Sequence, residues 1–168
     1  MAFESITDAR IGELLAIPKE VTNANVREKT KPGHSQRTYR VRATDGSDIT
    51  FELFVRQNTA VGMEDDFSAG LNLIAPNGDT LILCRYNGAS HWHPNHLEGT
   101  RVERGCHIHL ATERYVRAGK KAEGFAEATD RYTTVQGALH CLCRDRNITG
   151  IRTQPDATKQ IGMFDPEA

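Results

Sequence analysis

Between residues 37 and 55 polar and apolar side chains alternate: Tyr39, Val41 and Ala43 are interleaved with Thr38, Arg40 and Arg42, and Ile49, Phe51 and Leu53 with Thr50 and Glu52. A period of two sends successive side chains to opposite faces, so this stretch reads as a hairpin turned at Thr44-Asp45-Gly46-Ser47. A second hairpin is expected over 68–75 and 79–86, around Pro76-Asn77-Gly78-Asp79, and a fifth strand over 106–110. The intervening segment 87–105 carries Gly88, Pro94, Gly99 and Gly105 with little periodicity and reads as a loop or widened hairpin. Near the N-terminus the spacing turns helical. Ile11, Leu14 and Leu15 share one face, Ser5 or Thr7 can cap it, and Pro18 ends it. Residues 19–35 are polar and read as a loop. Tyr132, Val135, Leu139 and Leu142 predict an amphipathic helix from about Asp130 to Arg146.

This order of elements predicts an α+β fold: an antiparallel meander sheet of about five strands, with a short N-terminal helix and a longer C-terminal helix packed on it. The expected organisation is one domain over residues 1–150 and a C-terminal tail over 151–168, which lacks periodicity.

Composition supports a single globular domain, with 168 residues, 38% of them hydrophobic and 26% charged. No apolar run approaches the length of a membrane span. The first twenty residues mix acids into a short apolar pattern and lack the basic start of a secretory signal, so the expectation is a cytoplasmic protein without a membrane partner. Cys84, Cys106, Cys141 and Cys143 would then stay reduced; none of their spacings makes a zinc knuckle. A formal net charge of -1 argues against coating nucleic acid by bulk charge. Within that average lie two basic blocks. Residues 27–42 hold six Lys or Arg against Glu28, and residues 101–121 hold six against Glu103 and Glu113. Brought together beside a reactive site, they would attract a phosphate backbone.

The candidate chemistry is imidazole. His91, His93, His96, His107 and His109 are five of the seven histidines and fall within nineteen residues. In a strand, His107 and His109 project from one face. Two such rings suit general acid–base work, the pairing a metal-free ribonuclease uses, with His91 or His93 as partner and Arg85 or Arg104 at the phosphate. They equally suit zinc held by His107, His109 and one of His91, His93 and His96, which would make a metal-dependent hydrolase. Trp92, the only tryptophan, reads as a loop anchor in preference to a stacking platform.

Two short similarities break down. His91-Trp92-His93-Pro94-Asn95-His96 looks like the metal motif of metallo-β-lactamase-fold hydrolases, but Asn95 stands where that motif has aspartate, and the chain is too short for the fold. His107-Ile108-His109-Leu110 looks like part of the histidine-triad nucleotide hydrolases, but Ala111 occupies the place of the third histidine. The layout of Arg85-Tyr86, a histidine loop and then Gly105-Cys106-His107-Ile108-His109 resembles small bacterial toxin-antitoxin toxins of the TumE-like type. That resemblance covers about 25 of the 168 residues. It implies a toxin that acts on RNA as a nuclease and an antitoxin protein as partner.

The tail carries a separate signal. Gln160-Ile161-Gly162-Met163-Phe164 looks like the bacterial sliding-clamp binding motif, in which a glutamine amide fixes register while aliphatic and aromatic side chains fill an apolar groove. Gln160, Ile161, Met163 and Phe164 are the partner-binding candidates, and a non-catalytic toxin or regulator that binds the DNA sliding clamp is the reading they support. The alternative is that these apolar side chains fold back against the sheet.

Overall fold

A computed structural model describes residues 2–156. In chain order the elements are α1 (Asp8–Ala16), β1 (Lys19–Val21), β2 (Lys29–Lys31), β3 (His34–Ala43), β4 (Thr50–Asn58), β5 (Phe67–Ile74), β6 (Thr80–Asn87), β7 (His93–Asn95), β8 (Thr100–Val102), β9 (His107–Leu110), α2 (Glu113–Arg117), β10 (Phe125–Ala128), α3 (Val135–Asp145) and β11 (Ile148–Thr149). Nine strands form one sheet in the order β10-β9-β6-β5-β4-β3-β1-β11, with β2 also on β3, while β7 and β8 pair as a separate hairpin.

This corrects the expected five-strand meander with a long C-terminal helix. The fold is mostly sheet: β1 and β11 pair in parallel, which makes the nine-stranded sheet mixed, and the three helices are small. The two hairpins read from the alternation are present as β3–β4 and β5–β6. The strands missing from the sequence reading are short. Lys19–Val21, Lys29–Lys31 and Ile148–Thr149 span too few residues to show a period, and β1 finds its partners far away, at Ala43 and Ile148.

The C-terminal helix is shorter than predicted. The Thr134 hydroxyl accepts from the Gly137 N–H and caps it, so α3 begins at Val135. Tyr132 shares the helical spacing but stands in the preceding loop, where its hydroxyl reaches the carbonyl oxygens of Asn87 (2.9 Å) and His107 (3.1 Å).

One sheet face is the core. Tyr39, Val41, Phe51, Leu53, Ala69, Leu71 and Tyr86 are buried there, and α3 packs across β4, β5 and β6, adding Ala138 and Leu142. The register places a different set on the opposite face. Gln36, Arg56, Ser68, Asn87 and His107 lie side by side across β3, β4, β5, β6 and β9; Thr38, Phe54, Gly70, Arg85 and His109 form the next row. Residues 151–156, the described part of the expected tail, return to α3. Buried Asp156 accepts from the Thr133 and Thr134 hydroxyls and the Thr133 N–H, and Thr153 meets His140 Nδ1 at 2.9 Å. Among the described residues no helix is long and apolar enough to cross a membrane.

Candidate active site

His107 and His109 project from β9 onto the face opposite α3, and both are almost completely buried, at 0% and 1% exposure. The β7–β8 hairpin brings His93 onto the same group. The rings of His93 and His109 stand 4.5 Å apart, those of His107 and His109 5.0 Å, and those of His93 and His107 5.9 Å. His91, just before β7, places its ring 5.4 Å from that of His107 and is exposed.

Backbone carbonyls fix the tautomers. A carbonyl only accepts, so the ring nitrogen facing it carries the hydrogen. His107 Nδ1 donates to Gly105 O (2.8 Å), His109 Nδ1 to Glu123 O (2.9 Å) and His93 Nε2 to Gly124 O (2.7 Å). The lone pairs are thereby left on His107 Nε2, His109 Nε2 and His93 Nδ1. Asn87 Nδ2 meets His109 Nε2 at 3.3 Å, whereas His107 Nε2 is buried with no partner.

Burial keeps this pair neutral. It pushes the His109 pKa down to about 3, and the neighbouring Arg85 guanidinium adds to the shift. Desolvation lowers His107 as well, partly opposed by its bond to Gly105. Arg85 lies opposite His109 on β6, and its Nε is also buried without a partner. Burial lowers the Arg85 pKa, and the buried carboxylate of Glu123 acts against that shift.

The hairpin that covers the pair is itself fastened. Asn95 is buried; its Nδ2 donates to Ala126 O and its Oδ1 accepts from Ala126 N, both at 2.9 Å, which ties β7 to β10. The Tyr115 hydroxyl donates to Glu98 at 2.7 Å and accepts from Leu97 N at 3.3 Å. Gly124 permits the approach of the loop that supplies two of the three carbonyls, since a Cβ there would come within 2.4 Å of the Tyr115 ring.

The structure therefore brings His91, His93, His107, His109 and Arg85 together, and leaves Arg104 and His96 apart. Arg104 is exposed and its Nε donates to Ala89 O at 3.3 Å; His96 is exposed on the hairpin. Asn87 and Glu123 belong to the site but gave no sequence signal, because the first is one polar residue in a strand and the second sits in an unpatterned loop. Trp92 is not an anchor: it is 53% exposed, with the Arg101 guanidinium 5.2 Å over its ring.

The basic blocks do not converge. β3 lies four places along the sheet from β9. Several of their charges are paired locally, Arg37 with Glu28, Arg42 with Glu20, Arg101 with Glu103, Arg114 with Glu98 and Arg117 with Glu113. Among the described residues no three His, Cys, Asp or Glu are placed to hold one metal ion. Gln160, Ile161, Met163 and Phe164 lie outside the described residues. Comparison with protein-family models, with curated proteins and with solved structures finds no match.

Proposed function

We propose that the chain cleaves RNA by metal-independent acid–base catalysis at His107, in the manner of a toxin nuclease. One observation carries this reading: a neutral imidazole lone pair, on His107 Nε2, and a guanidinium N–H, on Arg85 Nε, are both buried and both unpartnered on neighbouring strands of one site. Buried polar atoms without partners are costly and call for an explanation. A ribose 2'-hydroxyl next to a phosphodiester supplies both missing partners, a proton to give and an anionic oxygen to accept.

In the proposed reaction His107 Nε2 takes the 2'-hydroxyl proton while O2' attacks phosphorus. Arg85 stabilises the negative charge that develops on the phosphoryl oxygens. The P–O5' bond breaks, and the leaving oxygen takes a proton from a second imidazole, for which His91, exposed to water and in ring contact with His107, is best placed. The products are a 2',3'-cyclic phosphate and a 5'-hydroxyl. Burial of His107 means that the β7–β8 hairpin has to lift before substrate enters. Among the described residues no three His, Cys, Asp or Glu are placed to hold one metal ion, which supports proton transfer over coordination of zinc.

The test is cleavage of a short single-stranded RNA, with and without EDTA, by the whole chain and by a His107→Ala/His109→Ala double variant. The expected result is cyclic-phosphate product that EDTA does not suppress, lost at least 100-fold in the double variant and absent from all-deoxy substrate. Full cleavage by the double variant overturns the assignment. Cleavage that EDTA abolishes and zinc restores would transfer the site to metal chemistry.

A further inference from the structure

The face that carries the histidines continues across β6, β5, β4 and β3. There most of its residues are half-buried or exposed, Gly70 and Asn87 being buried, unlike the fully buried set beneath α3. Row by row it presents Arg85, Gly70, Phe54 and Thr38, then Asn87, Ser68, Arg56 and Gln36; Arg40 follows Thr38 on β3. Strands are spaced by about 4.8 Å, so the strip runs for roughly 20 Å from His109 to Thr38.

Two features set this face apart from an ordinary solvated sheet surface. The first is aromatic. Gly70 has no side chain, and the Phe54 ring lies in the space it leaves: a Cβ on Gly70 would stand 2.2 Å from Phe54 Cζ. The ring is therefore laid down across the sheet next to the Arg85 position. The second is charge. Arg40 and Arg56 are exposed and make no ion pair with any described residue, and Arg85 makes none within 4 Å, whereas Arg42 on the same face is paired with Glu20. Glu52, the face's own acid, stands opposite Arg40 on β4 without an ion pair to it and takes a bond from Asn72 Nδ2 at 3.5 Å.

We infer that this open face is the track for single-stranded RNA leading into the histidine site, with Phe54 stacking a nucleobase and Arg56 and Arg40 meeting phosphates. The inference rests on the nuclease reading for the identity of its occupant. Its support is continuity, because the face joins the site through Arg85 and Asn87 without a break, and complementarity, because unpaired guanidinium groups flank a laid-down ring. A single strand offers unstacked bases to such a ring and a phosphate at each step to such cations; a duplex keeps its bases stacked within the helix.

The experiment uses the whole chain carrying His107→Ala, so that RNA stays intact, and fluorescence anisotropy of a labelled ten-nucleotide uridine strand against a duplex of equal length. The expected result is binding of the single strand at least tenfold tighter than the duplex. Arg56→Ala and Arg40→Ala should each lower the affinity and flatten the salt dependence by about 0.7 in the log–log slope. Phe54→Leu should weaken binding about tenfold and Phe54→Tyr restore it, with unchanged melting showing that neither variant has lost the fold. Equal binding of duplex and single strand, unchanged binding in the Phe54 and Arg56 variants, or flat anisotropy overturns the inference; the last would leave the face to a protein partner.

Cleavage of a dinucleotide, which reaches only the histidines, separates the two claims. If the dinucleotide is cut but Phe54 and Arg56 do not affect the ten-mer, the track is wrong and the nuclease stands. If the ten-mer binds through them but nothing is cut, the track stands and the nuclease fails.

Discussion

At the scale of single residues, the histidine site is held neutral by burial, and this has a consequence for stability. His109 has a folded pKa of about 3 against an ordinary value of 6.5, so between these values the unfolded chain binds a proton that the folded chain refuses. Stability therefore falls as pH drops through that window, and the effect is absent above it. At pH 5 the loss from His109 alone is about 2 kcal/mol, from 1.4 kcal/mol per pH unit. Urea unfolding at pH 7 and pH 5 measures it, and in His109→Gln the difference between the two should shrink by about that amount. An equal pH effect in both proteins would mean that His109 is not the group being kept neutral. The His-x-His spacing was enough to place His107 and His109 on one face. The carbonyls of Gly105, Glu123 and Gly124 that fix their tautomers were not readable, because any residue supplies a carbonyl and only tertiary structure says which one points at a ring.

Among the elements, the β7–β8 hairpin decides whether the site is open or closed, and Asn95 is its main fastening. Removing that side chain in Asn95→Ala leaves the Ala126 N–H and C=O without partners, at a cost of about 1–3 kcal/mol per buried group. The loss should fall on the hairpin rather than on the whole fold. Amide hydrogens of residues 93–102 should exchange at least tenfold faster, and diethyl pyrocarbonate should reach His107 more quickly, while the midpoint of global unfolding moves by only a few degrees. Unchanged exchange would show that Tyr115 and His93 hold the hairpin without Asn95. Strands β3 to β6 were legible from alternation because each has eight to ten residues and one apolar face. The hairpin was not, since His93–Asn95 and Thr100–Val102 are three residues each, too short to show a period, and are held by pairing with each other and by contact with β10. Helix α3 was legible in its apolar spacing but not in its start, where the Thr134 cap overrides the repeat that includes Tyr132.

Over the molecule as a whole, segments far apart in the chain are joined at one sheet edge, where β1 pairs with β11 in parallel, and Lys19 is the fastening there. The residue is 1% exposed, and its ammonium group donates to the carbonyl oxygens of Leu15 (2.9 Å), Ile17 (2.8 Å) and Arg146 (2.9 Å), so it closes the ends of α1 and α3 on one group. The Phe51 ring lies 5.2 Å from the same nitrogen. Burial lowers the Lys19 pKa to about 8, which leaves the group mostly charged at pH 7. A methionine of similar length keeps the packing but removes all three donors, and carbonyls at two helix ends are left buried and unpaired. Lys19→Met should therefore cost about 3 kcal/mol, a fall of roughly 6–12 °C in Tm for a chain of this size. Because α1, β1, α3 and β11 meet at this one nitrogen, the loss should appear as a single transition at lower temperature. A separate early step would show instead that the β1–β11 edge unfolds independently of the strands that carry the histidines. Scanning calorimetry, with the calorimetric enthalpy compared with the van't Hoff value, distinguishes the two.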